Sequence, residues 1–105
     1  MLCPILVFLT YPEKTAAKIL AHKIVESQCG ACVQILDGIT SIYKWNNVIE
    51  ENTEVMMIVK TFAHQFSRLQ TLIIENHPYN VPEIVSIKME NVSEDYLKWM
   101  NEVLE

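Results

Sequence analysis

The chain has 105 residues, half of them apolar or aromatic, and a formal net charge of −5. This length and composition predict one globular domain over residues 1–105 and exclude a disordered chain. With only eight basic residues, a single arginine (Arg68) among them, the chain lacks the clustered basic side chains that phosphate backbones and anionic membranes require, so we expect no nucleic-acid or membrane partner.

The first element is an apolar run over residues 4–9, which predicts a buried strand. A helix is expected to follow, with Thr10 as its N-cap and Pro12 in or near its first turn. Gly30 is the expected left-handed residue at the end of this helix. Apolar residues recur between these points at helical spacing: Ala17, Leu20, Ala21 and Ile24.

The middle of the chain predicts a long hairpin. Residues 31–45 have the pattern of a strand, and Asp37-Gly38 is expected to bulge or bend it. Asn46-Asn47 favours the turn, since asparagine tolerates positive φ. Residues 48–62 form the predicted return strand, which is apolar on both faces near its end, as in a central strand or one buried by a partner.

The last third predicts two helices and a short strand. Residues 64–75 form the first helix, and two prolines make residues 77–82 a stiff loop. A strand is expected over residues 83–88, and Ser93 is the predicted cap of the final helix.

The element order βαββαβ, followed by a helix, predicts an α+β domain with the ferredoxin-like sandwich plan. The two strands of its β2–β3 hairpin are well beyond the average strand length, and the sheet that they belong to is small. An apolar hairpin of this length must be covered, and another copy of the same chain is the simplest cover.

Cys29 and Cys32 form a C-x-x-C pair, which is compatible with redox or metal chemistry. The pair lies where the first helix ends, so the helix dipole opposes a thiolate there. No second pair and no nearby histidine complete a zinc site. The preferred interpretation is structural, with Cys32 as a small buried strand residue and Cys3 inert.

His77 and Glu83 flank the proline-stiffened loop and are the candidate metal ligands. Imidazole and carboxylate groups both bind copper or zinc. Two ligands do not complete a site, so an oligomeric partner would supply the rest. The alternative is that both side chains only hold the loop in place.

Glu54 and Lys60 share a strand face and are candidates to line a polar cleft, or else pair with neighbouring charges. Glu50, Glu51 and Glu54 are interpreted as a solvated acidic patch. We expect core or subunit-interface packing for the large aromatic side chains, which are Tyr43, Trp45, Tyr79, Tyr96 and Trp99. No nucleophile–base pair or phosphate-binding loop is present, so the prediction is a protein that is not an enzyme.

The compartment predicted from the sequence is the cytoplasm. The apolar start of the chain is too short for a signal peptide, and no run of about 18 apolar residues could cross a bilayer. Three cysteines, an odd number, suit a reducing environment.

A series of short motifs resembles one family over essentially the whole chain. The motifs are Ala31-Cys32-Val33-Gln34, Gly38-Ile39-Thr40-Ser41-Ile42-Tyr43 with Trp45, Glu54-Val55 through Lys60-Thr61, His77-Pro78-Tyr79 with Val81-Pro82-Glu83-Ile84, and Tyr96-Leu97 with Trp99. In this order and spacing they resemble the CutA proteins, which are called divalent-cation tolerance proteins. The chain has Leu9 where some bacterial members carry a cysteine, a candidate copper ligand, and Asn76 where some carry a second histidine.

The resemblance implies a homotrimer similar in architecture to PII signalling proteins, with copper or another divalent cation bound by His77 and Glu83. No cofactor is expected to be required for folding, and the sequence names no protein partner. Two alternatives stay open. One is a PII-like module that binds a small ligand in subunit clefts; the other is a stable assembly scaffold with no turnover. The expected cleft residues are Glu54, Lys60, Tyr79 and Trp45, and the expected trimer-interface or core residues are Tyr43, Trp45 and Trp99.

Overall fold

The computed structural model describes residues 2–104. These residues form four strands and three α-helices, with a short 3-10 turn at Ala63–Gln65. In chain order the elements are β1 (Pro4–Tyr11), α1 (Lys14–Glu26), β2 (Cys32–Trp45), β3 (Val48–Phe62), α2 (Phe66–Asn76), β4 (Val85–Lys88) and α3 (Glu94–Val103).

The four strands form one antiparallel sheet in the order β2-β3-β1-β4. Strand β3 therefore lies inside the sheet, as its two apolar faces predicted. The element order and this strand order confirm the ferredoxin-like α+β plan with its C-terminal helix.

One face of the sheet packs against α1 and α2. Alternate residues of β1 and β3 point to this face because side chains alternate along a strand. Helix residues recur every three or four positions to meet them. The buried core comprises Val7, Leu9, Leu20, Ile24, Met57, Val59, Leu69 and Ile73, all with 0–1% exposure.

The opposite face of the sheet, which we call the open face, is apolar and incompletely covered. It includes Leu6, Phe8, Met56 and Ile58, which are partly buried. On β4, Ile87 is paired with Leu6 and remains 50% exposed. Helix α3 packs beside Ala31 and Phe62, where its Met100 joins them in a buried cluster.

The β2–β3 hairpin extends past the rest of the sheet. Strand β1 pairs with residues 55–62 of β3, so residues 48–54 pair only with β2. We call the protruding segment, residues 39–54, the ribbon. Its turn residues Asn46 and Asn47 have φ of 51° and 65°, which confirms the predicted turn. The predicted bulge is also confirmed, since the register shifts between Leu36 and Ile39 and Gly38 has φ of 71°.

The predicted ends of α1 are wrong. Thr10 lies inside β1, and Glu13 is the N-cap, whose side chain accepts a hydrogen bond from the Ala16 amide. Beyond the helix, Gln28 rather than Gly30 has the positive φ, at 62°. Gly30 is required for a different reason: a Cβ there would lie 2.6 Å from Cγ1 of Val59.

The predicted cap of α3 is correct in position but not in bonding. Ser93 occupies the N-cap position, yet its side chain makes no capping hydrogen bond. Glu94 and Asp95 lie in the first turn, where the helix dipole favours negative charge.

Candidate functional site

A cleft of about 790 Å³ lies between the ribbon and the loop over residues 77–83. The ribbon contributes one side and the loop the other. The lining residues are Thr10, Ser41, Ile42, Tyr43, Trp45, Glu50, Glu54, Pro78, Tyr79, Asn80, Val81 and Glu83.

His77 fixes the start of the loop through both nitrogens of its ring. Its Nε2 lies 2.6 Å from the Thr10 carbonyl oxygen, and the Tyr79 amide donates to its Nδ1 at 3.1 Å. Nε2 must carry the proton, because a carbonyl only accepts and a backbone N–H only donates. The ring also lies between Tyr11 and Tyr79, with centroid distances of 4.5 and 4.8 Å. The imidazole therefore ties the loop to the end of β1.

Tyr79 connects the loop to the ribbon. Its hydroxyl donates a hydrogen bond of 2.8 Å to Oε2 of Glu54, a residue only 7% exposed. Burial, and then the neighbouring Glu54 carboxylate, raise the pKa of Tyr79 to about 12. The phenol thus keeps its proton at neutral pH and remains a donor to the carboxylate.

The cleft is acidic. Glu50, Glu54 and Glu83 line it, and its described lining residues include no lysine, arginine or histidine. Glu51 belongs to the opposite face of the ribbon, because successive strand residues point to opposite sides. The acidic patch predicted to be solvated is thus divided, with Glu50 and Glu54 on the cleft.

Three of the four residues predicted to line a subunit cleft lie together in this cleft of the single chain. Glu54, Tyr79 and Trp45 line the cleft, and so does Glu83. Lys60 does not line this cleft of the single chain, and a cleft between subunits that includes it stays a prediction. It shares a strand face with Glu54, but six positions separate the two by about 20 Å. Its Nζ instead lies 5.3 Å from the centroid of the Tyr96 ring.

The predicted metal ligands are not side by side in the cleft lining. Glu83 lines the cleft, whereas His77 is not among the lining residues. Its two ring nitrogens form hydrogen bonds with the backbone of Thr10 and Tyr79. Within residues 2–104, no three or more His, Cys, Asp or Glu side chains are grouped closely enough to hold a metal ion. The assignment of His77 and Glu83 as ligands stays a prediction.

Four of the five large aromatic residues are exposed on the single chain. Tyr43, Trp45, Tyr79 and Trp99 are 42%, 52%, 37% and 40% exposed. Trp99 packs beside Tyr96, with ring centroids 5.4 Å apart. The single chain therefore does not bury Tyr43, Trp45 or Trp99 in its core, and their predicted role in a trimer stays a prediction.

The cysteines are free thiols, and Cys29 and Cys32 do not form a disulfide. Cys29 is buried in the core and accepts a hydrogen bond from the Ser27 hydroxyl at 3.4 Å. Cys32, which was expected to be a small buried strand residue, is only partly buried. The burial of Cys29 supports the structural interpretation of the pair.

Sequence reasoning did not assign Glu50, Ser41 or Asn80 to the cleft. The period of two along β3 was an available signal for Glu50, which lies four residues before Glu54 on the same strand face. Asn80 carries no such signal, since its position depends on the path of an irregular loop.

Within residues 2–104, no helix is long and apolar enough to cross a membrane.

Comparison with known proteins gives a consistent result. The family model described as CutA1 divalent ion tolerance protein matches residues 5–103. A divalent-cation tolerance protein CutA from Thermus thermophilus is 38% identical over 96 residues, which cover 91% of this chain and 93% of that protein. The match spans only part of some longer relatives, namely 64% of a Xenopus laevis CutA homologue and 55% of the human protein CutA.

Solved structures agree with this result. The divalent ion tolerance protein CutA1 from Ehrlichia chaffeensis superposes with a TM-score of 0.93 at 30% identity, covering 100% of this chain and 98% of that one. A protein from Archaeoglobus fulgidus, described as a periplasmic divalent cation tolerance protein CutA, gives 0.94 at 31% identity, covering 97% and 99%. On sequence and fold together, this chain belongs to the CutA family of divalent-cation tolerance proteins.

Proposed function

We propose that the chain is a non-enzymatic protein that forms a homotrimer and binds divalent cations, with copper as the leading candidate. The acidic cleft carries this proposal, since three carboxylates line it and its described lining residues include no basic side chain. A cleft of one charge sign with low-dielectric walls raises the local concentration of counter-ions. The family description, divalent ion tolerance, supports the same class of ligand.

The proposed ligands are the carboxylate of Glu83 and Nδ1 of His77. Nδ1 accepts only the 3.1 Å hydrogen bond from the Tyr79 amide, so breaking that one bond would free its lone pair for a metal. Cu²⁺ favours imidazole nitrogen together with carboxylate oxygen. A second copy of the chain supplies the remaining ligands in this proposal.

The proposed trimer is supported by surfaces that one chain leaves uncovered. The open face of the sheet is apolar, and Ile87 is half exposed on it. Beyond the sheet, Ile49 is exposed on the ribbon and is not among the residues that line the cleft. Apolar strand surfaces of this extent are normally covered in proteins that stay soluble.

The cytoplasm is the proposed compartment. The three free cysteines support it, since thiols persist in reducing compartments. Cell fractionation tests the assignment, and recovery of the native protein from a periplasmic or other non-cytoplasmic fraction would contradict it.

The test of metal binding is a calorimetric titration of Cu²⁺ into metal-stripped, tag-free protein. Saturable binding at a fixed ratio per trimer is expected, and Glu83→Gln and His77→Ala should each abolish or strongly weaken it. His22→Ala is the matched control, because His22 is an exposed imidazole on α1 that could bind copper adventitiously. Equal loss in the control, or heat without stoichiometry, would overturn the proposal.

The second candidate function is a PII-like module that binds a small ligand. The size of the cleft and its aromatic walls favour it. A stable scaffold without a ligand is the outcome if neither metal nor small molecule raises the melting temperature with concentration.

A further inference from the structure

The cleft has the dimensions of a small-molecule site. Its volume of about 790 Å³ falls within the range of roughly 300–1,000 Å³ that such sites occupy. Tyr43 and Trp45 come from one strand of the ribbon, and Tyr79 comes from the loop. The cleft therefore has aromatic side chains on both of its sides.

The charge of the cleft indicates the sign of its ligand. Glu54 is more than nine-tenths buried, and its Oε2 accepts the Tyr79 hydroxyl. Within residues 2–104 no hydrogen bond reaches Oε1 of Glu54. No fully enclosed side-chain oxygen or nitrogen lacks a partner in the described chain, so Oε1 keeps some exposure, and Glu54 is one of the residues that line the cleft. A buried carboxylate oxygen that faces open space favours a cationic donor.

The carboxylates of the cleft are also suited to a second kind of cation. Within one chain, the described residues offer no group of three side chains that could hold a metal ion without ligands from a second copy. An organic cation extends over several atoms, so it can contact separated carboxylates and rest against aromatic rings at the same time. Ammonium groups are attracted to the faces of tryptophan and tyrosine.

We infer that this cleft binds a small organic ammonium compound, with Glu54 contacting the charged nitrogen and the rings of Trp45 and Tyr79 packing against the ammonium group and its alkyl chain. This ligand class goes beyond the divalent cations of the proposed function. It uses Glu54 and Trp45, which are not among the proposed metal ligands.

Putrescine is the first probe, because it carries two ammonium groups on a flexible alkyl chain. Butanediol is its neutral control, with the same carbon skeleton and no charge. A Trp99→Phe background leaves Trp45 as the only tryptophan, so its fluorescence reports directly on the cleft. We expect saturable quenching or enhancement by putrescine and none by butanediol at equal concentration.

Glu54→Gln should weaken putrescine binding about tenfold or more, because a neutral amide replaces the carboxylate that holds the ammonium group. The amide oxygen still accepts from Tyr79, so the loop should stay in place. Glu51→Gln is the matched control, since it removes the same charge from the opposite face of the ribbon and should change affinity less than about twofold.

Two results would overturn the inference. The first is that putrescine and butanediol bind equally well, or that neither binds. The second is that Glu54→Gln and Glu51→Gln weaken putrescine binding equally. The result is independent of copper, because the copper titration depends on His77 and Glu83. Putrescine binding without copper binding would leave the inference standing and overturn the metal proposal, and the reverse pattern would do the opposite.

Discussion

The hydroxyl of Tyr79 donates a 2.8 Å hydrogen bond to Oε2 of Glu54 and thereby joins the proline-stiffened loop to the ribbon. These residues are 25 positions apart in the chain. Both residues line the cleft, and the contact holds a buried carboxylate beside an aromatic ring. Both proposals concerning this region depend on the loop being held there.

Replacing Tyr79 by phenylalanine should destabilise the protein by about 1–3 kcal/mol, because the buried Glu54 carboxylate loses its donor. Urea denaturation at fixed protein concentration measures this change in the free energy of unfolding. Tyr43→Phe is the control. Tyr43 lies in the same cleft, but its hydroxyl bonds to Asn52 at an exposed position, so it should cost less than about 1 kcal/mol. Equal effects of the two changes would contradict the assigned role of the Tyr79 hydroxyl.

Stability should fall at alkaline pH, between about pH 10 and pH 12. The pKa of Tyr79 is raised from 10.0 to about 12 in the folded chain. In this window the folded protein keeps the phenolic proton and the unfolded chain has lost it, so stability decreases as pH rises. Burial also raises the pKa of Tyr11, which adds in the same direction.

Urea midpoints measured across this range check the alkaline prediction. Tyr79→Phe should reduce the slope without removing it, since Tyr11 remains. A slope unchanged by the substitution would show that Tyr79 ionises normally in the folded protein.

The two glycines should respond differently to substitution. Gly30→Ala should destabilise by about 1–3 kcal/mol, since its Cβ would lie 2.6 Å from Val59 and 2.8 Å from Ile24 in the core. Gly38→Ala should also destabilise, by about 1–2 kcal/mol, but through its φ of 71° rather than through a clash.

Asparagine separates these two mechanisms. Gly38→Asn should recover most of the stability lost in Gly38→Ala, because asparagine tolerates the left-handed region. Gly30→Asn should be worse than Gly30→Ala, because it adds volume where there is no space. Thermal unfolding of the four variants provides the test, and rescue at both positions would show that Gly30 is not sterically required.

The proposed trimer predicts a contrast between two exposed isoleucines. Ile87 is 50% exposed on the open face of the sheet, and Ile19 is 57% exposed on α1. Ile87→Lys should prevent assembly, because it places a charge in the proposed interface. Ile19→Lys should leave assembly unchanged. Native mass spectrometry or sedimentation velocity distinguishes the outcomes, and an intact trimer in the Ile87 variant would remove the open face from the interface.

Trp45→Ala and Tyr43→Ala test whether the ribbon contributes to the same interface. Each should weaken the trimer by about 2–4 kcal/mol if a second copy buries the side chain. Dilution series followed by sedimentation measure the change. Unchanged assembly in both variants would leave these aromatic residues to the cleft alone.

The hairpin was predictable from the sequence because its signals are local. Strand β3 runs over Val48–Phe62, the predicted range, and Asn46-Asn47 turns as expected. Alternating side chains, positive-φ residues and a glycine bulge each act over a few positions. The sequence contains all the information they need.

The ends of α1 were not predictable in the same way. Strand β1 continues to Tyr11 because β3 extends alongside it, with Tyr11 opposite Val55. Thr10 is therefore in a strand instead of capping a helix. Gly30 has the residue type of a helix end, but its role depends on the close approach of Val59 from a distant strand.

The cleft was predictable in part. The single chain brings Glu54, Tyr79 and Trp45 together in one cleft, whereas Lys60, which was included because it shares a strand face with Glu54, lies elsewhere. The alternation of side chains shows which face of a strand a residue occupies, but it does not show whether that residue lies near the cleft or far along the strand from it. The hydrogen bonds between the His77 ring and the backbone could not be predicted from the sequence either, since they depend on where the end of β1 meets the loop.

The ribbon has a consequence for the local dynamics of the protein. Beyond the bulge at Gly38, the amides of residues 39–54 bond only across one hairpin, without a third strand to hold them. In an isolated chain these amides should exchange with solvent deuterium by local opening, much faster than those of residues 55–62. In an assembled protein whose neighbour covers the ribbon, the two stretches should become equally protected. Amide exchange along this one hairpin would therefore report on subunit association residue by residue.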